Sequence, residues 1–275
     1  GSEMCIRDRP KTALKMAVIS TTAATGSETN ASSVLSNDVT HEKRSFFCDA
    51  SRATYTFMDP SLLYTLPKFQ RSCTVVDIFS HTHERYCAQH GENKIADECS
   101  EGNMRVLLEE GPKFIKQADD YQAASEIMFA GSHAYLTCGT GGAFDWATHN
   151  LAHEISGHYP QFTHAATITS LWPAWAQYVC DSNIPRFAQM ARKVFGIQEA
   201  DDQKAAKMCI DATIKFFSDC GMPTSIQELM NKNISEEEID ALVESCTFHG
   251  RRASIGALKK LDKQDMKNIY VMANQ

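Results

Sequence analysis

DWATHNLAHEISGHYPQFTH, residues 145–164, packs four histidines and a glutamate into twenty positions. His149 and His153 stand four apart, so on a helix they share one face. His164 follows in a loop-like FTHAA. Upstream, VVDIFSHTHERY sets Asp77 and His81 four apart as well, with His83 pointing elsewhere. A carboxylate and imidazoles at such spacing can grip one cation, and this donor set suits Zn²⁺ or Fe²⁺. The alternative for the first pair is that Asp77 caps a helix and His81 lies on the surface. Two such pairs on separate helices are harder to explain as unrelated core or surface residues. Zinc peptidase chemistry does not fit. HEISGH puts His158 five residues after His153, off the face that H-E-x-x-H needs, and Asn150 rather than a glutamate follows His149.

A second chemical feature is the hydroxyl-rich stretch TTAATGSETN at 21–30. Its N–H groups and hydroxyls could line a phosphate or ribose, or it could be a polar connection. With Gly26 as its only glycine it is neither a P-loop nor G-x-G-x-x-G. Lys43 could pair with a ligand phosphate or be a solvated strand-edge lysine.

The elements that must position these residues divide the chain unevenly. Residues 1–10, GSEMCIRDRP, have neither an apolar core nor a cleavage site, and read as a non-native leader. The apolar AVI at 17–19 reads as a strand entering the hydroxyl-rich loop, and SSVLSNDVTHEKRSFF as a hairpin or edge strand. From Cys73 onward helical periodicity dominates, in VDIFSHTHERYCAQ, CSEGNMRVLLEEGPKFIKQ, YQAASEIMFAGSHAYLT, WATHNLAHEIS, RFAQMARKVFG, QKAAKMCIDATIKFFSDCG, SEEEIDALVESC and DKQDMKNIYVMA. Ser235 with Glu238 forms a capping-box pattern, Asp262 with Asp265 a looser one, and Gly196 and Gly221 suit helix C-terminal positions. The expected fold is mainly α, with a β-rich piece over 11–66 and a helical domain over 67–275. A β piece of this size is too small to stand alone, so the chain reads as beginning in mid-domain.

Composition narrows the ligands. A formal net charge of −7 without a clustered basic face argues against nucleic acid. No apolar run reaches the ~18 residues of a membrane span. The ten cysteines form no C-x-x-C pair, so they read as buried thiols of a reducing, cytoplasmic compartment rather than as a zinc ribbon or a disulfide framework.

Taken in order, TTAATGSETN, EKRSF, MDPSLLYTLP, VVDIFSHTHERY, DWATHNLAHEIS, PAWAQYV, FAQMARKVFGI, GMPTSIQEL and KKLDKQDMKNIY resemble the iron-dependent (group III) alcohol dehydrogenases, most nearly the butanol dehydrogenase branch. The resemblance implies the dehydroquinate synthase-like fold of that family. An α/β dinucleotide-binding domain is followed by an all-helical domain, and the active site lies in the cleft between them. It implies one Fe²⁺ or Zn²⁺ held by Asp77, His81, His149 and His164, with His153 beside the nicotinamide as a proton-relay group. It also implies NAD or NADP contacts at Thr21, Thr22, Thr25, Lys43, Leu62 and Leu63. The activity implied is hydride transfer between NAD(P)(H) and a primary alcohol or aldehyde, in a homodimer. The alternative is an inactive helical fragment or a metal-only binding module.

Three departures from the family pattern carry expectations. The phosphate-binding Gly-Gly-Gly-Ser turn is absent, so about a hundred residues of an ordinary nucleotide-binding domain are expected before Thr12. His164 follows His149 by fifteen residues where the family has fourteen, which is expected to displace the fourth ligand unless the loop bulges. Thr74, Ala165 and Thr169 replace family glycines, which is expected to cost strain if those positions need positive φ.

Overall fold

The computed structural model describes residues 12–40, 42–89, 91 and 93–275. The leader at 1–10 lies outside the described residues.

Four short strands come first: β1 (Ala17–Ser20), β2 (Ser32–Asn37), β3 (Glu42–Phe47) and β4 (Tyr55–Met58). β1 and β4 pair in parallel with Ala17 opposite Tyr55, and β2 and β3 form an antiparallel hairpin with Ser32 opposite Phe47. A 3₁₀ turn at Pro60–Leu63 follows, started by Asp59, whose carboxylate accepts the Ser61 N–H at 2.9 Å. Ten helices then run to the C-terminus: α1 (Lys68–Cys87), α2 (Lys94–Lys116), α3 (Tyr121–Leu136), α4 (Ala147–His158), α5 (His164–Val179), α6 (Ile184–Lys193), α7 (Asp202–Asp219), α8 (Ile226–Met230), α9 (Glu236–Cys246) and α10 (Lys263–Ala273).

The core surrounds α1, which is buried continuously from Arg71 to Cys87. A helix enclosed on all sides has no solvent to receive its polar groups, so each must find a partner inside. Thr74, Ser80 and Thr82 return their hydroxyls to carbonyls one turn back, and Asn103 of α2 donates to Thr82 Oγ1 at 2.9 Å. Arg71 Nη2 donates to the Ile115 carbonyl at 2.9 Å, and Arg85 Nε to that of Cys138 at 2.8 Å. Where α1 and α2 cross, Gly111 permits contact, since a Cβ there would lie 2.6 Å from Val75 Cγ1.

The reading of 73 onward as helical holds, with two additions, the short α8 and a longer helix. Residues 164–179, not among the expected helices, form α5, which contains Pro173. This helix is buried from Ala165 to Ala176, so its sequence carries no amphipathic stripe to betray it. His164, expected in a loop, is its first residue. Both capping boxes form as read, at Ser235 with Glu238 and at Asp262 with Asp265. Thr74, Ala165 and Thr169 all lie within helices and none has positive φ, so the expected strain from lost glycines is absent. The eight described cysteines from Cys73 to Cys246 are free. No helix among the described residues is long and apolar enough to cross a membrane.

Candidate metal centre

Asp77 lies nine residues into α1 and is buried, as is His81 one turn later, so the capping and surface alternative fails for both. Three helices converge on this carboxylate. Asp77 Oδ1 is 3.8 Å from His81 Nε2 on its own helix, 3.9 Å from His149 Nε2 on α4 and 3.9 Å from His164 Nε2 at the start of α5. The ligand atoms of Asp77, His149 and His164 all lie within 4.8 Å of one another. With one residue in excess before it, His164 still brings its ring to Asp77 and His149.

The donors fit a divalent cation. Asp77 Oδ1 and His149 Nε2 are buried at the focus of the cluster with no hydrogen-bond partner. Burying such atoms unpaired is costly, and a cation would supply what they lack. One carboxylate with neutral imidazoles is the borderline donor set of Fe²⁺ or Zn²⁺. Burial holds the rings neutral: it drives His149 down to about 3 and lowers His81 and His164 well below the ordinary histidine value. Burial pushes the Asp77 carboxyl up to about 8, against the pull of the Lys43 ammonium. A cation at the focus reverses that preference and favours the carboxylate.

Around this focus stand groups with distinct placements. His153, one turn after His149, is buried with its ring centroid 4.9 Å from that of His164. Burial, then the neighbouring imidazoles, hold it down to about 2. Lys43 reaches in from β3 and donates to Ser156 Oγ of α4 at 3.4 Å. Burial lowers its pKa while the Asp77 carboxylate raises it. Lys43 is therefore at the cleft rather than on a solvated strand edge. Its neighbour Arg44 anchors the hairpin, with Nη1 2.9 Å from Glu154 Oε1 of α4.

The hydroxyl-rich loop packs against α3. Gly26 (φ +55°) and Gly131 face each other so closely that a Cβ on Gly131 would lie 1.9 Å from the Ala23 carbonyl. Thr21, Thr22 and Thr25 are exposed along it, and Thr25 Oγ1 accepts the Ser27 N–H at 3.3 Å. Leu62 is half-buried, whereas Leu63 is fully buried in the core, away from any exposed surface.

Glu84 was not among the expected site residues. It is fully buried on α1, and its Oε2 meets His149 Nδ1 in a short contact while Oε1 accepts the backbone N–H groups of Thr148 at 2.8 Å and His149 at 3.3 Å. The signal was in the spacing, since 77, 81 and 84 share one helical face. Two aromatic rings also went unread. Tyr135 lies 4.9 Å from His81, and Trp146, held at φ +57° before α4, lies 5.1 Å from His149.

Comparison with known proteins finds relatives over most of the chain. The family model described as "Fe-containing alcohol dehydrogenase family, C-terminal" matches residues 72–274, and "Iron-containing alcohol dehydrogenase" matches residues 3–60. The NADPH-dependent aldehyde reductase YqhD of Escherichia coli (strain K12) is 34% identical over 87% of this chain and 61% of its own length. The probable NADH-dependent butanol dehydrogenase 1 of Bacillus subtilis (strain 168) is 31% identical over 96% of this chain and 67% of its own. The chain thus spans roughly three fifths to two thirds of these relatives. The crystal structure of NADH-dependent butanol dehydrogenase A from Thermotoga maritima superposes with a TM-score of 0.89 at 29% identity, covering 96% of this chain and 67% of that one. Matched over most of its length in sequence and in fold, the chain belongs to the iron-containing alcohol dehydrogenase family and is butanol dehydrogenase-like.

Proposed function

We propose that this chain forms the metal- and substrate-binding part of an NAD(P)-dependent alcohol dehydrogenase or aldehyde reductase, which moves a hydride between nicotinamide and a primary alcohol or aldehyde. The observation that carries the reading is the convergence of His81, His149 and His164 on the buried Asp77. Those four residues would hold Fe²⁺ or Zn²⁺. When bound, the divalent ion supplies Lewis-acid stabilisation of negative charge on the substrate oxygen.

The chain's own groups supply the rest. Asp77 and three neutral imidazoles would offset only one of a divalent ion's two charges, and the remaining positive charge would favour an alkoxide over an alcohol. His153 is placed to carry a proton, accepting it at one ring nitrogen and releasing it from the other. Such a relay needs no standing imidazolium, in keeping with the low basicity that burial imposes. Trp146 and Tyr135 flank the histidines and help exclude water. Thr21, Thr22, Thr25 and Leu62 belong to the dinucleotide side of the cleft, with Lys43 at its centre and Leu63 supporting Leu62 from the core. In this reading 11–66 belong to the dinucleotide-binding domain and 67–275 form the metal domain of a cytoplasmic homodimer.

A second reading, metal binding without dinucleotide binding, has one observation in its favour. Among the described residues the parallel sheet has two strands, and Ile19, Tyr55 and Phe57 on it are exposed.

Elemental analysis of the dialysed chain tests the metal, with about one iron or zinc per chain expected and Asp77→Ala expected to lose it. Hydride transfer, assayed with the chain joined to a family N-terminal domain, tests the reaction. There, His153→Ala is expected to keep the metal and lose turnover by about 10²–10⁴-fold. A Asp77→Ala variant that retains metal would overturn the site. Metal retained without any hydride transfer in the joined protein would favour the second reading.

A further inference from the structure

We infer that Glu84 is a positioning residue that fixes the tautomer of His149, so that Nε2 faces the metal site as a bare lone pair. The inference rests on the metal reading above and extends it to a residue one layer out. Glu84 is fully buried on α1 and lies seven residues, two turns, beyond Asp77. Oε1 accepts the N–H groups of Thr148 and His149, and Oε2 lies against His149 Nδ1. With two backbone donors holding Oε1, the group cannot turn away, and as a carboxylate it offers the ring only an acceptor at Oε2. The ring proton is therefore held on Nδ1. Nε2, left without a hydrogen-bond partner, is the nitrogen 3.9 Å from Asp77 Oδ1. A carboxylate behind a ligating histidine fixes ring orientation as well as tautomer, and its loss typically costs 10–100-fold in metal affinity.

Glu84 also caps α4, because Trp146 at the N-cap offers no side-chain hydrogen bond. A purely structural cap must therefore be distinguished from a positioning role. Glu84→Gln separates the two. Its amide oxygen can still accept both backbone N–H groups, but its NH₂ then faces His149 Nδ1 and favours the opposite tautomer, with the proton on Nε2.

The experiment measures Zn²⁺ affinity of the whole chain by competition with a chromophoric chelator, for wild type and Glu84→Gln, alongside thermal unfolding of both metal-free proteins. The expected result is 10–100-fold weaker Zn²⁺ binding in Glu84→Gln with nearly unchanged unfolding. Equal affinity in the two proteins would overturn the inference. Should the variant fold poorly, long-range ¹H–¹⁵N correlation on the metal-free wild type decides instead. The proton of His149 is expected on Nδ1, and an Nε2–H tautomer would overturn the assignment. Wild-type protein that fails to hold Zn²⁺ or Fe²⁺ would overturn the metal reading itself, a result distinguishable from equal binding by both proteins.

Discussion

At the scale of single residues the site is a set of groups held in their less hydrated protonation states. His81, His83, His149, His153 and His164 are kept neutral by burial, so in acid the unfolded chain binds protons that the folded chain refuses. Each thus contributes stability that is present above its unfolded value of about 6.5 and is lost as pH falls below it. Asp77 acts oppositely. Burial raises it to about 8, so in the metal-free protein it contributes stability that is lost as pH rises from its unfolded value, near 4, toward 8. Below about pH 6.5 the histidines outnumber this carboxyl; above it only the carboxyl still changes. The metal-free chain is therefore expected to be most stable near pH 6.5, with its urea midpoint falling on both sides. A midpoint that climbs steadily to pH 8.5 would contradict the neutral-carboxyl state. Adding Zn²⁺ is expected to remove the alkaline decline, because the ion requires the Asp77 carboxylate.

Secondary-structure elements set the geometry in which those groups meet. The loop at 21–30 can lie on α3 only because Gly131 has no side chain beneath the Ala23 carbonyl. Glu28 extends the same seam, buried at 2% exposure and accepting the Ser132 hydroxyl in a short hydrogen bond. Gly131→Ala must push the loop outward, at an expected cost of about 1–3 kcal/mol from overpacking. Since the proposed metal ligands come from α1, α4 and α5 rather than α3, Zn²⁺ affinity is expected to stay within a few-fold of wild type. In the protein joined to a family N-terminal domain, NAD(P)H affinity is expected to weaken. Titration calorimetry of both ligands checks the split, and equal losses for metal and dinucleotide would show that the loop and the metal site are not separable.

For the whole molecule, one arginine ties the β2–β3 hairpin to the helices, apart from the seam of the 21–30 loop on α3. Arg44 on β3 pairs with Glu154 on α4, donates to the Ser245 carbonyl at 3.2 Å and lies over the Phe248 ring at 4.6 Å. Glu154 is buried, and without Arg44 it retains Ser245 Oγ at 2.6 Å as a side-chain partner. Arg44→Ala is expected to cost about 2 kcal/mol, because it strips a charged hydrogen bond from a buried carboxylate. It should also loosen the hairpin that delivers Lys43 to the cleft. Hydrogen exchange is expected to speed up in Ser32–Asn37 and Glu42–Phe47 while α1 stays protected. Uniform exchange across the chain would show that Arg44 is not the hairpin's anchor.

The sequence by itself determined the local features. Helix caps at Ser235 and Asp262, the hairpin, the strand before the hydroxyl-rich loop and the i, i+4 pairing of Asp77 with His81 all follow from neighbours within one or two turns. Ordered motifs also marked the family before any coordinates did. Where burial is complete, that legibility ends. The helix α5 carries no stripe because every face meets protein, so His164 read as a loop residue. Glu84, on the same face as Asp77 and His81, cannot be told from a surface glutamate by sequence, because nothing near it in the chain shows that the start of α4 lies against it. Tertiary structure alone decided that His149 Nε2 faces Asp77, and that Lys43 reaches Ser156 from a strand more than a hundred residues away in sequence. Such contacts join positions far apart in the chain, and their energies depend on desolvation, which only the packed molecule defines.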